Sequence, residues 1–88
     1  MNRCKLDIAA EILRIALHGA KKTHVMYRAN LNFYQFQKYI SELNDNGLIK
    51  LEKEKCQTTE KGIQFLRSFS ELRKLFPGIE TDPYEIPL

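Results

Sequence analysis

The chain has 88 residues, of which 43% are hydrophobic and 28% are charged, a composition typical of one small globular domain. No apolar run approaches the roughly 20 residues that span a bilayer, so we expect no membrane partner. Charged residues interrupt the apolar residues near the start, which argues against a signal peptide and predicts a cytoplasmic protein. Residues 1–76 carry all 14 basic residues and 8 of the 11 acids, a net charge of +6, which favours a polyanionic partner.

Apolar residues recur with helical spacing over residues 6–17, and they cover about 200° of a helical wheel at 100° per residue. This stripe is wider than a helix packed on one side requires. It predicts a first helix covered on two sides, either by a central position in the fold or by a second subunit. Gly19 marks the end of this helix.

Thr23 is a suitable N-cap for a short second helix that runs to about Ala29. Asn30 and Asn32 then interrupt the helical pattern, as turn and cap residues do. A third helix is expected over residues 33–46, ended by Gly47. The residues predicted to face inward from the third helix are Phe33, Phe36, Ile40 and Leu43.

Residues 48–54 alternate in part between apolar and polar, the period of a strand, with Ile49 and Leu51 on one face. Residues 53–55 form a polar tip, and residues 56–58 return as a short second strand. Thr59 then caps a fourth helix that reaches Phe76, about 25 Å at 1.5 Å per residue. Residues 77–88 contain all three prolines and form an acidic tail, expected to be either disordered or an extended strap on the fourth helix.

The order helix, helix, helix, hairpin, helix predicts a mainly α winged helix-turn-helix domain over residues 1–76. The segment KKTHVMYRANLNFYQFQKYISELNDNGLI, followed by TTEKGIQFL, resembles the archaeal winged-helix regulators and the ten-kilodalton archaeal chromatin proteins. The resemblance implies binding of double-stranded DNA, as a regulator or a nucleoid-associated chromatin protein, with the third helix in the major groove. The chromatin proteins have a longer C-terminal helix, which Pro77 cuts short here.

Polar, nearly uncharged side chains on the outer side of the third helix are typical of contact with base edges, since glutamine can bind adenine and lysine guanine. The alternative is an ordinary solvated helix face. The candidates for base contact are Tyr34, Gln35, Gln37, Lys38 and Ser41.

Basic and capping residues around the second helix and the wing are candidates for phosphate contact, and scattered surface charge is the alternative. These candidates are Lys21, Lys22, Thr23, Arg28, Asn32, Lys53 and Lys55. Apolar stripes on the first and fourth helices favour a homodimer, and the alternative is that the tail covers the fourth helix in place of a partner. The residues predicted for the dimer interface are Ile12, Phe65, Phe69, Leu72 and Phe76.

The chain lacks a recognisable signature of catalysis. It has no nucleophile–base pattern and no glycine-rich phosphate loop, and His18 and His24 have no ligand partners at metal spacing. We therefore expect no enzyme activity, cofactor, metal or small-molecule substrate. Cys4 and Cys56 are expected to be free buried thiols, with a redox sensor as the alternative. A protein-interaction adaptor on the same fold is the alternative function, because fold does not fix function.

Overall fold

The described part of the chain forms four helices and three short strands. The structure, a computed structural model, describes residues 3–75, so Phe76 and the predicted acidic tail lie outside the described residues. The elements are α1 (Lys5–Ile15), β1 (Ala20–Lys21), α2 (Lys22–Arg28), α3 (Phe33–Asp45), β2 (Ile49–Glu52), β3 (Lys55–Thr58) and α4 (Glu60–Leu75). This order confirms the winged helix-turn-helix architecture. Within residues 3–75, every helix is too short or too polar to cross a membrane.

The sheet is antiparallel and has three strands in the order β1-β3-β2, whereas the sequence predicted the β2–β3 hairpin alone. In the additional strand, Ala20 pairs with Cys56 and Lys21 with Lys55. The Cys56 thiol also donates a hydrogen bond to the Ala20 carbonyl, with 3.7 Å between Sγ and O. Two residues are too few to show an alternating pattern, so this strand is specified by its partner β3.

Helix α1 occupies the centre of the core and contacts α2, α4 and β3. Ile12, Leu13 and Ala16 are fully buried. The wide apolar stripe is therefore explained by packing within one chain. Ile12 has no exposed surface left for a second subunit, so its assignment to a dimer interface is wrong. The helix also ends at Ile15, four residues before Gly19.

The turn between α2 and α3 is closed by backbone hydrogen bonds. Asn30 adopts a left-handed conformation with φ 57°, and the Leu31 amide donates to the Met26 carbonyl at 3.1 Å, the pattern of a Schellman motif. Asparagine is one of the residues that tolerates this conformation. The start of α2 differs from the prediction, because Lys21 is the N-cap and Thr23 lies within the first turn.

A second Schellman motif ends α3, as the sequence predicted for Gly47. Its φ is 73°, and the Leu48 amide donates to the Leu43 carbonyl at 2.9 Å. Phe36, Ile40 and Leu43 face the core as expected. Phe33, the first residue of the helix, is 66% exposed, so its predicted inward orientation is wrong.

The start of α4 packs closely against the turn after α3. The Thr59 hydroxyl donates to the Gly47 carbonyl at 2.6 Å and accepts from the Gly62 amide at 3.1 Å, which confirms Thr59 as the cap. A Cβ atom at Gly62 would collide with the Leu48 carbonyl oxygen and the Thr58 methyl group. Glycine is therefore required here by the close approach of two backbone segments. We call Gly47, Leu48, Thr58, Thr59 and Gly62 the α4 junction.

Candidate nucleic-acid interface

The outer side of α3 presents four of the five residues predicted for base contact. Tyr34, Gln37, Lys38 and Ser41 are all exposed, and their spacing of three or four residues places them on one side of the helix. Together they offer two hydroxyl groups, an amide and an ammonium group. The hydroxyl and amide groups can donate and accept hydrogen bonds at base edges, and the ammonium group can donate them.

Gln35, the fifth candidate, is engaged in a capping box at the start of α3. Its backbone amide donates to Asn32 Oδ1 at 2.7 Å, and its Oε1 accepts from the Asn32 amide at 3.1 Å. Recognition of adenine by glutamine uses the side-chain oxygen and nitrogen together. The capping box directs Oε1 toward the Asn32 backbone, so the side chain does not present its oxygen and nitrogen together to a base edge. The spacing of Asn32 and Gln35 is itself a capping-box signal in the sequence, which the prediction did not use.

The two halves of α3 differ in charge. Lys38 lies in the first half, whereas Glu42 and Asp45 are exposed in the second half. Carboxylates near DNA phosphates are repelled. This distribution favours contact through the first two turns of the helix.

A cleft of about 360 Å³ lies between the start of α2, the start of α3 and the wing tip. We call it the α2–α3–wing cleft. The backbone amide of Lys22 donates to the Glu54 carbonyl at 2.7 Å, which fastens the wing tip to α2. The residues that line the cleft are Lys21, Lys22, Thr23, Met26, Phe33, Phe36, Gln37, Lys53 and Glu54. The fold thus brings together four predicted phosphate contacts and one predicted base contact.

Two other predicted phosphate contacts lie elsewhere. Arg28 is exposed at the opposite end of α2 from Lys22. Lys55 belongs to β3 and lines a smaller hollow on the sheet, of about 60 Å³, together with Lys50 and Gln57. Lys53 and Lys55 therefore point to different parts of the surface although they are two residues apart.

The wing is short, and its tip consists of Lys53 and Glu54, since Lys55 is already in β3. Glu52 pairs with Lys55 across the hairpin, so a two-residue turn joins the strands. Lys53 has a φ of 41°, in the left-handed region that non-glycine residues seldom occupy. The tip lies beside α2, since the Lys22 amide donates to the Glu54 carbonyl.

The cysteines differ in their surroundings, and both are free thiols. Cys56 is buried, and burial raises the pKa of its thiol, opposed in part by the nearby Lys22 ammonium. A raised pKa disfavours the reactive thiolate. Cys4 is half-buried, contrary to prediction, and serves as the N-cap of α1, where its sulfur accepts from the Asp7 amide at 3.4 Å.

The apolar stripe of α4 is divided between the core and the surface. Phe69 is 6% exposed and stacks on Phe65, with 6.2 Å between ring centroids, so it is largely used within the chain. The Arg73 guanidinium lies 5.6 Å from the Phe69 ring centroid. Leu72 and Leu75 are exposed, and the sequence prediction included Leu72 but missed Leu75, three residues further along the same side.

Comparison with known proteins assigns the family. A family model described as winged helix-turn-helix matches residues 2–76. The chain belongs to the winged helix-turn-helix family. This assignment agrees with the order of helices and strands and with the resemblance found in the sequence.

Two relatives of this winged helix-turn-helix chain are uncharacterized proteins of Methanocaldococcus jannaschii. MJ0287 is 44% identical over 82 residues, which cover 92% of this chain and 81% of the relative. MJ0290 is 36% identical over 76 residues, and the match covers 85% of this chain but 36% of that longer protein. A solved structure, that of Sso10a-2, a DNA-binding protein from Sulfolobus solfataricus, is similar with a TM-score of 0.63 and 27% identity. The match covers 91% of this chain and all of Sso10a-2.

Proposed function

We propose that this winged helix-turn-helix protein binds double-stranded DNA, with the first half of α3 in the major groove and the wing tip on the flanking backbone. The observation that carries the proposal is the convergence of Lys21, Lys22 and Lys53 beside Gln37 of α3 in one cleft. Cations beside an exposed polar helix face suit a duplex, which presents phosphates next to base edges. The similarity to a DNA-binding protein, Sso10a-2, supports the same conclusion.

Base contacts are assigned to the exposed side of α3. The Gln37 amide is able to bind adenine through two hydrogen bonds, and Lys38 is able to bind guanine. Ser41 and Tyr34 add hydroxyl groups on the same side. Gln35 is assigned to capping instead, because its Oε1 already accepts a hydrogen bond from the Asn32 amide.

Phosphate contacts are assigned to the cleft lysines and Thr23, with Arg28 and Lys55 as outlying contacts. Ammonium groups bind phosphates without regard to base sequence, so they position the protein on the duplex. Asn32 stays a predicted phosphate contact through its Nδ2 group, because the Gln35 amide occupies only Oδ1, an acceptor that cannot bind a phosphate oxygen.

We propose that two copies associate through the C-terminal half of α4. Leu72 is 46% and Leu75 80% exposed, and they lie on adjacent turns of one helix side. A two-fold dimer would present its two α3 helices to half-sites about 34 Å apart. Sedimentation of the full chain is expected to show a dimer that Leu72→Glu dissociates, whereas a monomer at high micromolar concentration contradicts the dimer.

The exposure of Tyr27 and Phe33 favours a second candidate function, that of a protein-interaction adaptor. These residues are 83% and 66% exposed, and aromatic side chains are enriched at protein interfaces. Exposed Tyr34 lies beside Phe33 and extends the aromatic surface.

A salt titration distinguishes the two functions. Fluorescence anisotropy of a labelled random-sequence duplex should show binding that weakens with salt, with a log–log slope of about −0.9 per phosphate neutralised. The same titration with a duplex selected from a random library separates regulator from chromatin protein, because a regulator prefers the selected site and a chromatin protein binds both equally. Absence of duplex binding at low salt contradicts DNA binding and favours the adaptor.

A further inference from the structure

The α2–α3–wing cleft has an apolar floor that contact with DNA phosphates leaves unused. Phe36 is buried at its base, Met26 is half-buried beside it, and Phe33 stands exposed at its mouth. The volume of about 360 Å³ falls in the range of small-molecule sites, about 300–1,000 Å³. The cleft therefore has both the size and the apolar surface to enclose part of an organic molecule.

The rim of the cleft is cationic. Three ammonium groups, those of Lys21, Lys22 and Lys53, line it together with one carboxylate, that of Glu54. Salt bridges within residues 3–75 join Arg3 to Glu11 and Lys50 to Glu52, and neither of them involves a lysine of the cleft. An apolar floor beneath an excess of positive charge is complementary to a molecule with an apolar body and an anionic group.

We propose that the α2–α3–wing cleft binds a small amphipathic organic anion, with an aromatic ring against Phe33, Phe36 and Met26 and a carboxylate or phosphate against the lysines. A DNA phosphate has the required charge, but it has no apolar part to occupy the floor. A free small molecule satisfies both features of the cleft. The ring of Phe33 supplies a stacking surface, an arrangement that aromatic pairs favour.

Occupation of the cleft interferes with DNA binding, and this step rests on the proposed function. Gln37, Lys21 and Lys53 belong both to the cleft and to the surface assigned to DNA. An anion that neutralises these lysines competes with the phosphates. With mutually exclusive binding, a ligand at ten times its Kd raises the apparent Kd for DNA about elevenfold. The cleft would thereby release the protein from DNA when the anion accumulates.

Ligand binding is tested first without DNA, on the full chain, with 2-naphthoate and its neutral analogue 2-naphthylmethanol as probes. Amide chemical shifts in NMR should change around the cleft with naphthoate and much less with the alcohol. Phe33→Ala should weaken naphthoate binding about tenfold, and Lys21→Gln at least about threefold. Tyr27→Ala, which removes an exposed aromatic outside the cleft, serves as the matched control and should change nothing. Equal binding of both probes, or binding of neither, overturns the proposal.

The effect on DNA binding is tested by measuring the affinity for a labelled duplex by fluorescence anisotropy, with and without saturating naphthoate. Weakened duplex binding in the wild-type protein, restored in Phe33→Ala, supports competition. Unchanged duplex affinity while naphthoate fills the cleft overturns it. If the protein binds naphthoate in the cleft but no duplex at any salt concentration, the proposed DNA function is contradicted while the ligand site is supported.

Discussion

The α4 junction and the α2–α3–wing cleft use polar groups in opposite ways. In the junction these groups are turned inward, since the Thr58 hydroxyl donates to the Leu13 carbonyl at 2.6 Å and the Thr59 hydroxyl has two backbone partners. In the cleft, charged side chains converge on an open space. A buried hydrogen bond left unmade costs about 1–3 kcal/mol, whereas an exposed lysine contributes little to folding.

This difference separates stability from binding within one small domain. The junction joins α3, the hairpin and α4 into one body, and the cleft is displayed on that body. Changes in the junction are expected to lower the free energy of unfolding, and changes in the cleft are expected to alter ligand and DNA binding with the fold intact.

The largest effect is expected for Gly62→Ala. Alanine stabilises a helix relative to glycine by about 1 kcal/mol, but here its Cβ would collide with the Leu48 carbonyl and Thr58. We expect a net destabilisation of about 3 kcal/mol, a large share of the roughly 4–13 kcal/mol that stabilises a domain of 88 residues. Thermal unfolding followed by circular dichroism measures it, with Ser70→Ala on the exposed side of α4 as the control. An unchanged Tm for Gly62→Ala would contradict the close approach.

Much of this junction could be predicted from the sequence, because it depends on local residue types. Gly47 ends a helix and Thr59 begins one, as their positions in the apolar pattern indicated. What could not be predicted depends on partners distant in sequence. The strand at Ala20 forms because β3 offers it an edge. The space required at Gly62 depends on how α4 approaches the turn after α3.

For the proposed binding surface, the sequence predicts which residues take part better than it predicts where their side chains lie. The pattern indicates the exposed side of α3, yet it predicts that Phe33 faces inward. Phe33 is 66% exposed at the first position of the helix, whereas Leu31 and Phe36 on either side of it in sequence lie in the core. The sequence predicts Lys53 and Lys55 together at the wing tip, although Lys53 lies in the turn, with a positive φ, and Lys55 lies in β3 beside a different hollow. At the ends of helices and strands, the direction of a side chain depends on the backbone turn. Residue type alone is a weak predictor of that turn.

The next prediction concerns base recognition by Gln37. Gln37→Ala should weaken binding to a preferred duplex by about 1–3 kcal/mol, because two hydrogen bonds to adenine are lost, and leave binding to random duplex unchanged. The free energy of unfolding should stay within about 0.5 kcal/mol of wild type, since the side chain is exposed. Gln64→Ala, an exposed glutamine on α4, is the matched control. Equal losses on both duplexes would show that α3 does not read bases and would favour a chromatin role.

Lys53→Gln is expected to have a smaller and sequence-independent effect. Loss of one ammonium group at the wing tip should reduce the magnitude of the log–log salt slope by about 0.9 on every duplex tested. Arg67→Gln removes one charge from the exposed surface of α4 and should leave the slope unchanged. If both variants reduce the magnitude of the slope equally, the effect reflects the total charge of the protein, and the wing tip has no special position on the DNA backbone.

The smallest effect is expected for Gln35→Ala, which lies on the binding helix but acts through stability. Its Oε1 accepts from the Asn32 amide at 3.1 Å, and removal of such a cap costs about 0.5–1 kcal/mol. Gln35→Glu keeps an acceptor oxygen at the same position, so it should retain the wild-type Tm while Gln35→Ala lowers it. If capping is the main role of Gln35, the alanine variant keeps the wild-type ratio of affinities for preferred and random duplex, unlike Gln37→Ala. If Gln35→Ala instead loses the preference for the preferred duplex and keeps the wild-type Tm, Gln35 contacts bases. The capping box would then have to open when DNA binds.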